Sequence, residues 1–191
     1  MLNNLLLKEE WLTLRSDNIH IRYISVDDAA GLLQLQKENR NFFESYAPTR
    51  TDDFYTMEGQ LKRIQKQVEN RRNDQAYDFG IFTNSDNMLV GTVSLFQVMR
   101  GPLQSAYIGY DLDQKNNGRG YTTEAVRLAV DYGFNELKLH RIEAGAMTHN
   151  IASIRVLEKV GFQKEGIARQ NVHINGKWED HQILAILNPR S

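Results

Sequence analysis

Apolar and polar positions alternate through Ile19-His-Ile-Arg-Tyr-Ile24, and that period of two predicts a half-buried strand within residues 12–24. Asp27 and Asp28 then read as a helix start, with Leu32, Leu33, Leu35 and Gln36 forming a short amphipathic face. From Asn39 to Asp53, Phe42, Phe43, Tyr46 and Pro48 are mixed with polar residues without a period, which predicts a loop or broken helix. Met57, Leu61, Ile64 and Val68 recur at helical spacing and predict a second helix over residues 56–73. Three strand patterns follow, Tyr77 to Phe82, Met88 to Val98 and residues 104–113. The turn sequences Asn84-Ser-Asp-Asn87 and Met99-Arg-Gly-Pro102 separate them, so an antiparallel meander is expected.

The second half repeats this logic with longer crossings. A helix from Thr122 to Glu136 buries Ala125, Leu128, Ala129 and Tyr132, and a strand from Arg141 to Met147 precedes a helix from Asn150 to Val160. Gly161 stands where a helix end favours a left-handed residue, and Phe162 supplies the adjoining apolar contact. Strands 162–174 and 178–187 close the chain around Asn175-Gly176, a strong tight-turn dipeptide. No repeat, low-complexity stretch or linker interrupts the pattern, so residues 1–191 are expected to form a single domain.

Composition narrows the function by exclusion. Lysine and arginine number 23 against 24 acidic residues, a net charge of −1 that offers no global basic field for nucleic acid. Lys62, Arg63 and Lys66, with Arg71 and Arg72, fall on a helical pattern and read as a solvated face. The absence of cysteine removes disulfides, thiolate metal sites and a cysteine nucleophile, and no spacing among the five histidines suggests a metal. No apolar run approaches the ~18–20 residues of a membrane span. Met1 to Glu10 lacks the basic start of a signal peptide, so a cytoplasmic protein is expected.

The segment with the clearest chemistry is Asn117-Gly118-Arg119-Gly120-Tyr121-Thr122-Thr123-Glu124-Ala125, between a predicted strand and a predicted helix. Two glycines one residue apart allow a tight turn and leave amides uncovered at the positive end of a helix dipole, a cradle for phosphate. It is neither a Walker loop, since no lysine follows the glycines, nor a dinucleotide fingerprint, since Thr123 occupies the third glycine position.

Together with that segment, Ile108-Gly-Tyr-Asp-Leu112 and the later block Arg141-Ile-Glu-Ala144 … Asn150-Ile-Ala-Ser-Ile-Arg-Val-Leu-Glu-Lys-Val-Gly-Phe162 resemble the GNAT superfamily of acyl-CoA-dependent N-acetyltransferases. The spacing from Asn150 through Ser153 to Gly161-Phe162, then Glu165-Gly166, is similar to the RimJ/RimL branch, whose named members acetylate the N-termini of ribosomal proteins. Ile21-Arg-Tyr23, Asp27-Asp-Ala29, Asn39-Arg40 and Tyr46-Ala-Pro48 also resemble that branch. The resemblance implies an α/β (α+β) GNAT fold, with a mixed, mostly antiparallel central sheet of about seven strands and about four helices. It implies acetyl-CoA as co-substrate and no metal.

On that resemblance, Asp111, Leu112 and Asp113 end a splayed strand whose main chain meets pantetheine, and residues Asn117, Gly118, Arg119, Gly120, Tyr121, Thr122 and Thr123 take the phosphates. Thr122 and Thr123 read equally as phosphate ligands or helix caps, Arg119 as a ligand of the adenosine phosphate side or a solvated residue, and Glu124 as structural. Asn150 is an N-cap that also reaches pantetheine. Leu157 stands where many members place a proton-donating tyrosine, and Ser153 is the expected donor to the thiolate, against the plain reading of a small packed residue. Val172 occupies the place of the branch's proposed glutamate base, leaving Glu143, His173 and the Asp180-His181 pair as candidates, with His149 near the CoA arm. The acceptor is expected between segment 39–55 and the final hairpin, with Glu44, Tyr46 and Trp178 binding it. Acceptor candidates are a protein N-terminus, ribosomal proteins among them, or a small-molecule amine such as a polyamine, amino sugar or antibiotic; a homodimer is a further candidate. A non-catalytic acyl-CoA-binding domain is the alternative of another class, kept open by the missing tyrosine and glutamate.

Overall fold

The computed structural model describes residues 12–190, so the leader reading of Met1–Glu10 lies outside the described residues. The pattern of two resolves into eight strands: β1 (Thr13–Arg15), β2 (Ile19–Tyr23), β3 (Ala76–Thr83), β4 (Leu89–Met99), β5 (Ser105–Leu112), β6 (Arg141–Met147), β7 (Gln163–Ile174) and β8 (Lys177–Leu187). The pattern of 3.6 resolves into five helices: α1 (Ala29–Glu38), α2 (Arg40–Glu44), α3 (Met57–Arg72), α4 (Tyr121–Asn135) and α5 (Ile151–Val160). Short 3-10 turns at Val26–Asp28, Asp52–Tyr55 and Gln114–Asn116 join them. The additions to the expected element set are the short strand β1, paired in register Leu14↔Ile21, and the five-residue α2 inside the broken-helix segment.

One sheet carries all the strands in the order β1-β2-β3-β4-β5-β6-β8-β7. Every neighbouring pair is antiparallel except β5 and β6, whose parallel register runs only over Ser105↔Arg141, Ala106↔Ile142 and Tyr107↔Glu143. Beyond Tyr107 the two strands have no paired register, although β5 continues on β4 to Leu112 and β6 continues on β8 to Met147. A wedge therefore opens in the middle of the sheet.

Burial on both faces explains why the strands read as nearly continuous apolar runs. On one face Tyr77, Phe79 and Ile81 pack with Val126, Ala129 and Tyr132 of α4 and with Ile154 and Leu157 of α5. On the other, Leu32 and Leu35 of α1 meet Ile64 of α3 in a second cluster. Each such fully buried aliphatic side chain contributes roughly 1.5–3 kcal/mol of transfer free energy. Helix ends follow local chemistry: Thr56 Oγ1 caps α3 by accepting from the Gly59 amide (3.0 Å), and α5 ends on Gly161 at φ 113°.

Candidate active site

The wedge leaves a specific set of main-chain groups unclaimed by the sheet. Asp113 donates its N–H to the Val90 carbonyl (2.8 Å), and in strand alternation Asp111 turns its main chain to β4 as well. Leu112 and Tyr110 consequently turn theirs towards the wedge. This corrects the expectation for Asp111 and Asp113, whose backbone groups are taken by β4; Leu112 alone of the three faces the opening. The Asp113 side chain is also committed, accepting from the Lys115 amide (3.2 Å) and the Asn116 amide group (3.1 Å).

At the mouth of the wedge the glycine turn has the expected geometry. Gly118 and Gly120 sit at φ 79° and 85°, a region that costs any residue with a Cβ, and both positions border open space. Gly120 is the N-cap residue of α4 and offers no side-chain acceptor to the first-turn amides. The positive end of a fifteen-residue helix is thus uncapped and exposed beside Arg119, the arrangement an anion needs. Thr122 and Thr123 lie in the first turn and neither is the cap residue, since Gly120 holds that position. Glu124 is structural: its carboxylate accepts from the Asn18 backbone amide (3.1 Å) and side-chain amide (2.7 Å), tying α4 to the β1–β2 turn. Burial opposes its ionisation, but those bonds outweigh it and hold its pKa below the usual value.

On the α4–α5 side of the wedge, Asn150 caps α5 by accepting from the Ser153 amide (3.1 Å). The Ser153 hydroxyl pairs with the phenol of Tyr110 (2.9 Å), which also donates to the Ser153 carbonyl (3.1 Å). Tyr110 is a residue the sequence reading missed, although its alternation with Ile108 and Leu112 already placed it on that face. Burial pushes its pKa up to about 12, with the Ser153 bond opposing, so the phenol stays protonated at neutral pH. Leu157, at the position where the resemblance implies a tyrosine, is buried in the core.

On the opposite side, Asp111 projects into a cleft of about 250 Å3 shared with Gln36, Glu44, Arg50, Tyr55 and Arg63. Its carboxylate accepts from Thr92 Oγ1 (3.1 Å). Glu44 is held by the Tyr55 hydroxyl (2.8 Å), the Arg50 amide (3.3 Å) and Arg40 (3.4 Å). The Tyr55 hydrogen bond first, and then the neighbouring amide and guanidinium, hold its pKa below the ordinary carboxylate value against the opposing effect of burial. Arg63 corrects the solvated-face reading of its cluster, because its guanidinium is buried under Phe54 (5.5 Å to the ring centroid) rather than exposed. Arg71 likewise lies over the Tyr23 ring at 3.9 Å.

The rim of the cleft joins the segments expected to flank the acceptor. Asn175, at the tip of the β7–β8 hairpin, accepts from the Thr49 amide (2.9 Å) and hydroxyl (2.6 Å) and donates to the Glu44 carbonyl (2.6 Å). Tyr46 is 41% exposed and meets the His149 ring at 6.4 Å, which carries the rim to the start of α5. Trp178 does not wall the cleft: it is 57% exposed and packs on His173 (5.2 Å) as its cross-strand partner. His173 is exposed on the same hairpin and is not among the cleft-lining residues. Glu143 lies on β6 in an ion pair with Arg141 (3.1 Å). Neither candidate base reaches the cleft lining, whereas Asp111, first read only for its backbone, does. Asp180 accepts from the Gln170 amide (2.8 Å) and His181 is buried, so that pair serves the hairpin. Among the described residues no cluster of three or more His, Asp or Glu side chains could hold a metal ion, and no helix is long and apolar enough to cross a membrane.

Comparison with known proteins bears on this geometry directly. Residues 18–163 match the model of the acetyltransferase (GNAT) domain family. The chain is 62% identical over 176 residues to the probable N-acetyltransferase YjcK of Bacillus subtilis (strain 168), covering 92% of this chain and 97% of that one. It superposes on the ribosomal-protein-S5-alanine acetyltransferase from Vibrio fischeri with a TM-score of 0.88 at 31% identity, over 93% of this chain and 97% of that one. It also superposes on Mycobacterium smegmatis RimJ in complex with CoA-disulfide, with a TM-score of 0.85 at 27% identity, over 90% and 83% of the two chains.

Proposed function

The chain belongs to the GNAT acetyltransferase family, and from that premise we propose that it transfers the acetyl group of acetyl-CoA to the α-amine of a protein N-terminus, of the ribosomal-protein type, by direct attack in a ternary complex. The observation that carries this reading is the placement of a two-carboxylate cleft on one side of the β5–β6 wedge and the Ser153–Tyr110 hydroxyl pair on the other, with the uncapped α4 terminus at its mouth.

The amides of residues 118–123, from the glycine turn into the first turn of α4, would hold the pyrophosphate, and the wedge-facing main chain of Tyr110 and Leu112 would take the amide arm of pantetheine as a missing strand would. Acetyl-CoA supplies an activated acyl thioester; the residues of this chain supply position and proton management. Glu44, held ionised by Tyr55 and Arg40, is a weak base and a good anchor for an ammonium group. Asp111, on the strand that borders the wedge, accepts the proton the amine must lose before attack. Ser153, oriented by Asn150 and Tyr110, presents its hydroxyl to the departing sulfur. With no cysteine in the chain, a thiol-linked acyl-enzyme is not available, and direct transfer within one complex uses proximity instead. The reading goes with one domain acting in the cytoplasm, with ribosomal proteins as the acceptors to try first; the Vibrio fischeri protein named above is an acetyltransferase of that kind.

The test is thiol release from acetyl-CoA with an alanine-initiated peptide, fragmentation spectra locating the product, for the wild type and Asp111→Asn. Acetyl on the α-nitrogen, made much more slowly by the variant, is expected. Transfer to polyamines or lysine ε-amines alone would overturn the acceptor, and unchanged turnover in Asp111→Asn would overturn the base.

A further inference from the structure

We propose that Arg63 and Gln36 form an oxygen-reading subsite in the acceptor cleft, which selects an amine bearing a carbonyl oxygen on its neighbouring carbon (the α-aminoacyl group) over simple alkylamines and polyamines. The inference rests on the α-amine reading above and assigns the part of the acceptor that Glu44 and Asp111 leave unrecognised.

Two residues that line one cleft each carry a buried donor without a partner. Arg63 Nη1 and Gln36 Nε2 are both inaccessible to solvent and make no hydrogen bond, and both residues line the cleft that holds Glu44 and Asp111. The other buried side-chain atoms in that condition, Oε1 of Gln60 and of Gln67, are acceptors on α3 that do not line the cleft. Folded proteins satisfy nearly all buried polar groups, so two unsatisfied donors at one concavity indicate a missing oxygen. Arg63 has no ion pair among the described residues. Asp111 and Asp78 act on it only by attraction at longer range, and the Asp78 carboxylate is occupied by the Ser94 hydroxyl (2.7 Å). A buried guanidinium without a paired anion is costly, and an apolar side chain of similar volume would serve packing better.

The cleft therefore offers two recognition chemistries. The carboxylates of Glu44 and Asp111 match an ammonium, and the two donors match an oxygen close to it. A peptide N-terminus carries both groups on adjacent carbons. A polyamine carries only positive charge and hydrocarbon, and it would leave both donors unsatisfied beside a repelling cation.

The test uses the full chain and Arg63→Met. The value of kcat/KM is measured for an alanine-initiated peptide, for alaninamide, for free alanine, and for butylamine and spermidine, which lack the oxygen. Loss of a charge-assisted hydrogen bond should lower kcat/KM for the carbonyl-bearing acceptors about tenfold to 100-fold. Butylamine should be unaffected, and the thermal shift given by CoA should not change. The comparison of alaninamide, peptide and alanine tells whether an amide or a carboxylate oxygen is preferred; a drop in any of them selective against butylamine supports the subsite. Tm should hold or rise in Arg63→Met, since an unpaired buried cation is removed, and Arg63→Lys should fall between Met and wild type on the peptide. Equal losses on all acceptors, or a collapse of Tm with general loss of activity in both variants, would make Arg63 structural and overturn the proposal, as would unchanged peptide kinetics. If the wild type acetylates only spermidine, the α-amine reading fails before any variant is compared, so the two failures are distinguishable.

Discussion

Tyr110→Phe removes a single oxygen from the junction between the wedge and α5. That oxygen lies 2.9 Å from Ser153 Oγ and 3.1 Å from the Ser153 carbonyl. Neutral hydrogen bonds contribute about 0.5–1.5 kcal/mol each, so the loss of both costs roughly 1–3 kcal/mol. For a chain of this length that is a fall in Tm of about 2–12 °C by calorimetry. The catalytic consequence is separable. If Ser153 donates to the departing sulfur, Ser153→Ala should lower kcat about tenfold to 100-fold, below the effect of removing a full oxyanion-hole donor. Tyr110→Phe, which leaves the serine in place without its partner, should cost about three- to tenfold. The double variant should be little worse than Ser153→Ala alone, because the phenol acts through the serine. Thiol release at saturating acceptor gives kcat, and titration calorimetry with acetyl-CoA should find Kd within about threefold of wild type in all three variants, as expected for an interaction made late in the reaction. Unchanged kcat in Ser153→Ala would refute the donor role of the serine, and fully additive losses in the double variant would refute the view that the phenol acts through it.

Other consequences follow from single contacts. Gly120→Ala places a Cβ at φ 85° in the N-cap of α4 and should cost about 1–2 kcal/mol of stability together with a weakened thermal shift by CoA; an unaltered shift would separate that turn from the phosphates. Asn175→Ala breaks the three hydrogen bonds that tie the hairpin to Thr49 and Glu44, so KM for the peptide should rise while Kd for CoA stays constant. A change in CoA affinity instead would mean that the hairpin supports the wedge. Asp74 takes a two-point bond from Arg100 (2.6 and 2.7 Å), which holds its pKa below the ordinary 3.8, with burial opposing and the Tyr77 hydroxyl assisting. Its contribution to stability is therefore full above about pH 4 and is lost as pH falls through the lower folded-state value. Denaturation curves of Asp74→Asn should converge with wild type only in that acid range, and a constant difference down to pH 2 would contradict the assignment.

Much of this architecture was legible because local chemistry and tertiary burial agree. The three-strand meander, α4, β6, α5 and the Asn175-Gly176 hairpin all stand within a residue or two of where periodicity and turn residues place them. Gly118, Gly120 and Asn150 could be identified because backbone conformation and capping are local properties. The rest depends on register. Nothing in β5 or β6 alone says that their pairing stops at Tyr107↔Glu143, and that stop decides which main-chain groups of residues 110–113 are free. The proximity of Asp111 and Arg63 was hidden for the same reason: each is an ordinary charged residue until the fold brings both to one cleft. His173 and Trp178 looked chemical by residue type, yet the hairpin pairs them with one another on its exposed side.

The most direct test of the account is a crystal structure of the chain with CoA and an alanine-initiated peptide. It should place the pyrophosphate on the amides of residues 118–123, the sulfur within hydrogen-bonding reach of Ser153 Oγ, and the peptide α-nitrogen between Glu44 and Asp111. A pyrophosphate bound elsewhere, or a sulfur directed away from Ser153 with the peptide outside the Glu44–Asp111 cleft, would contradict it.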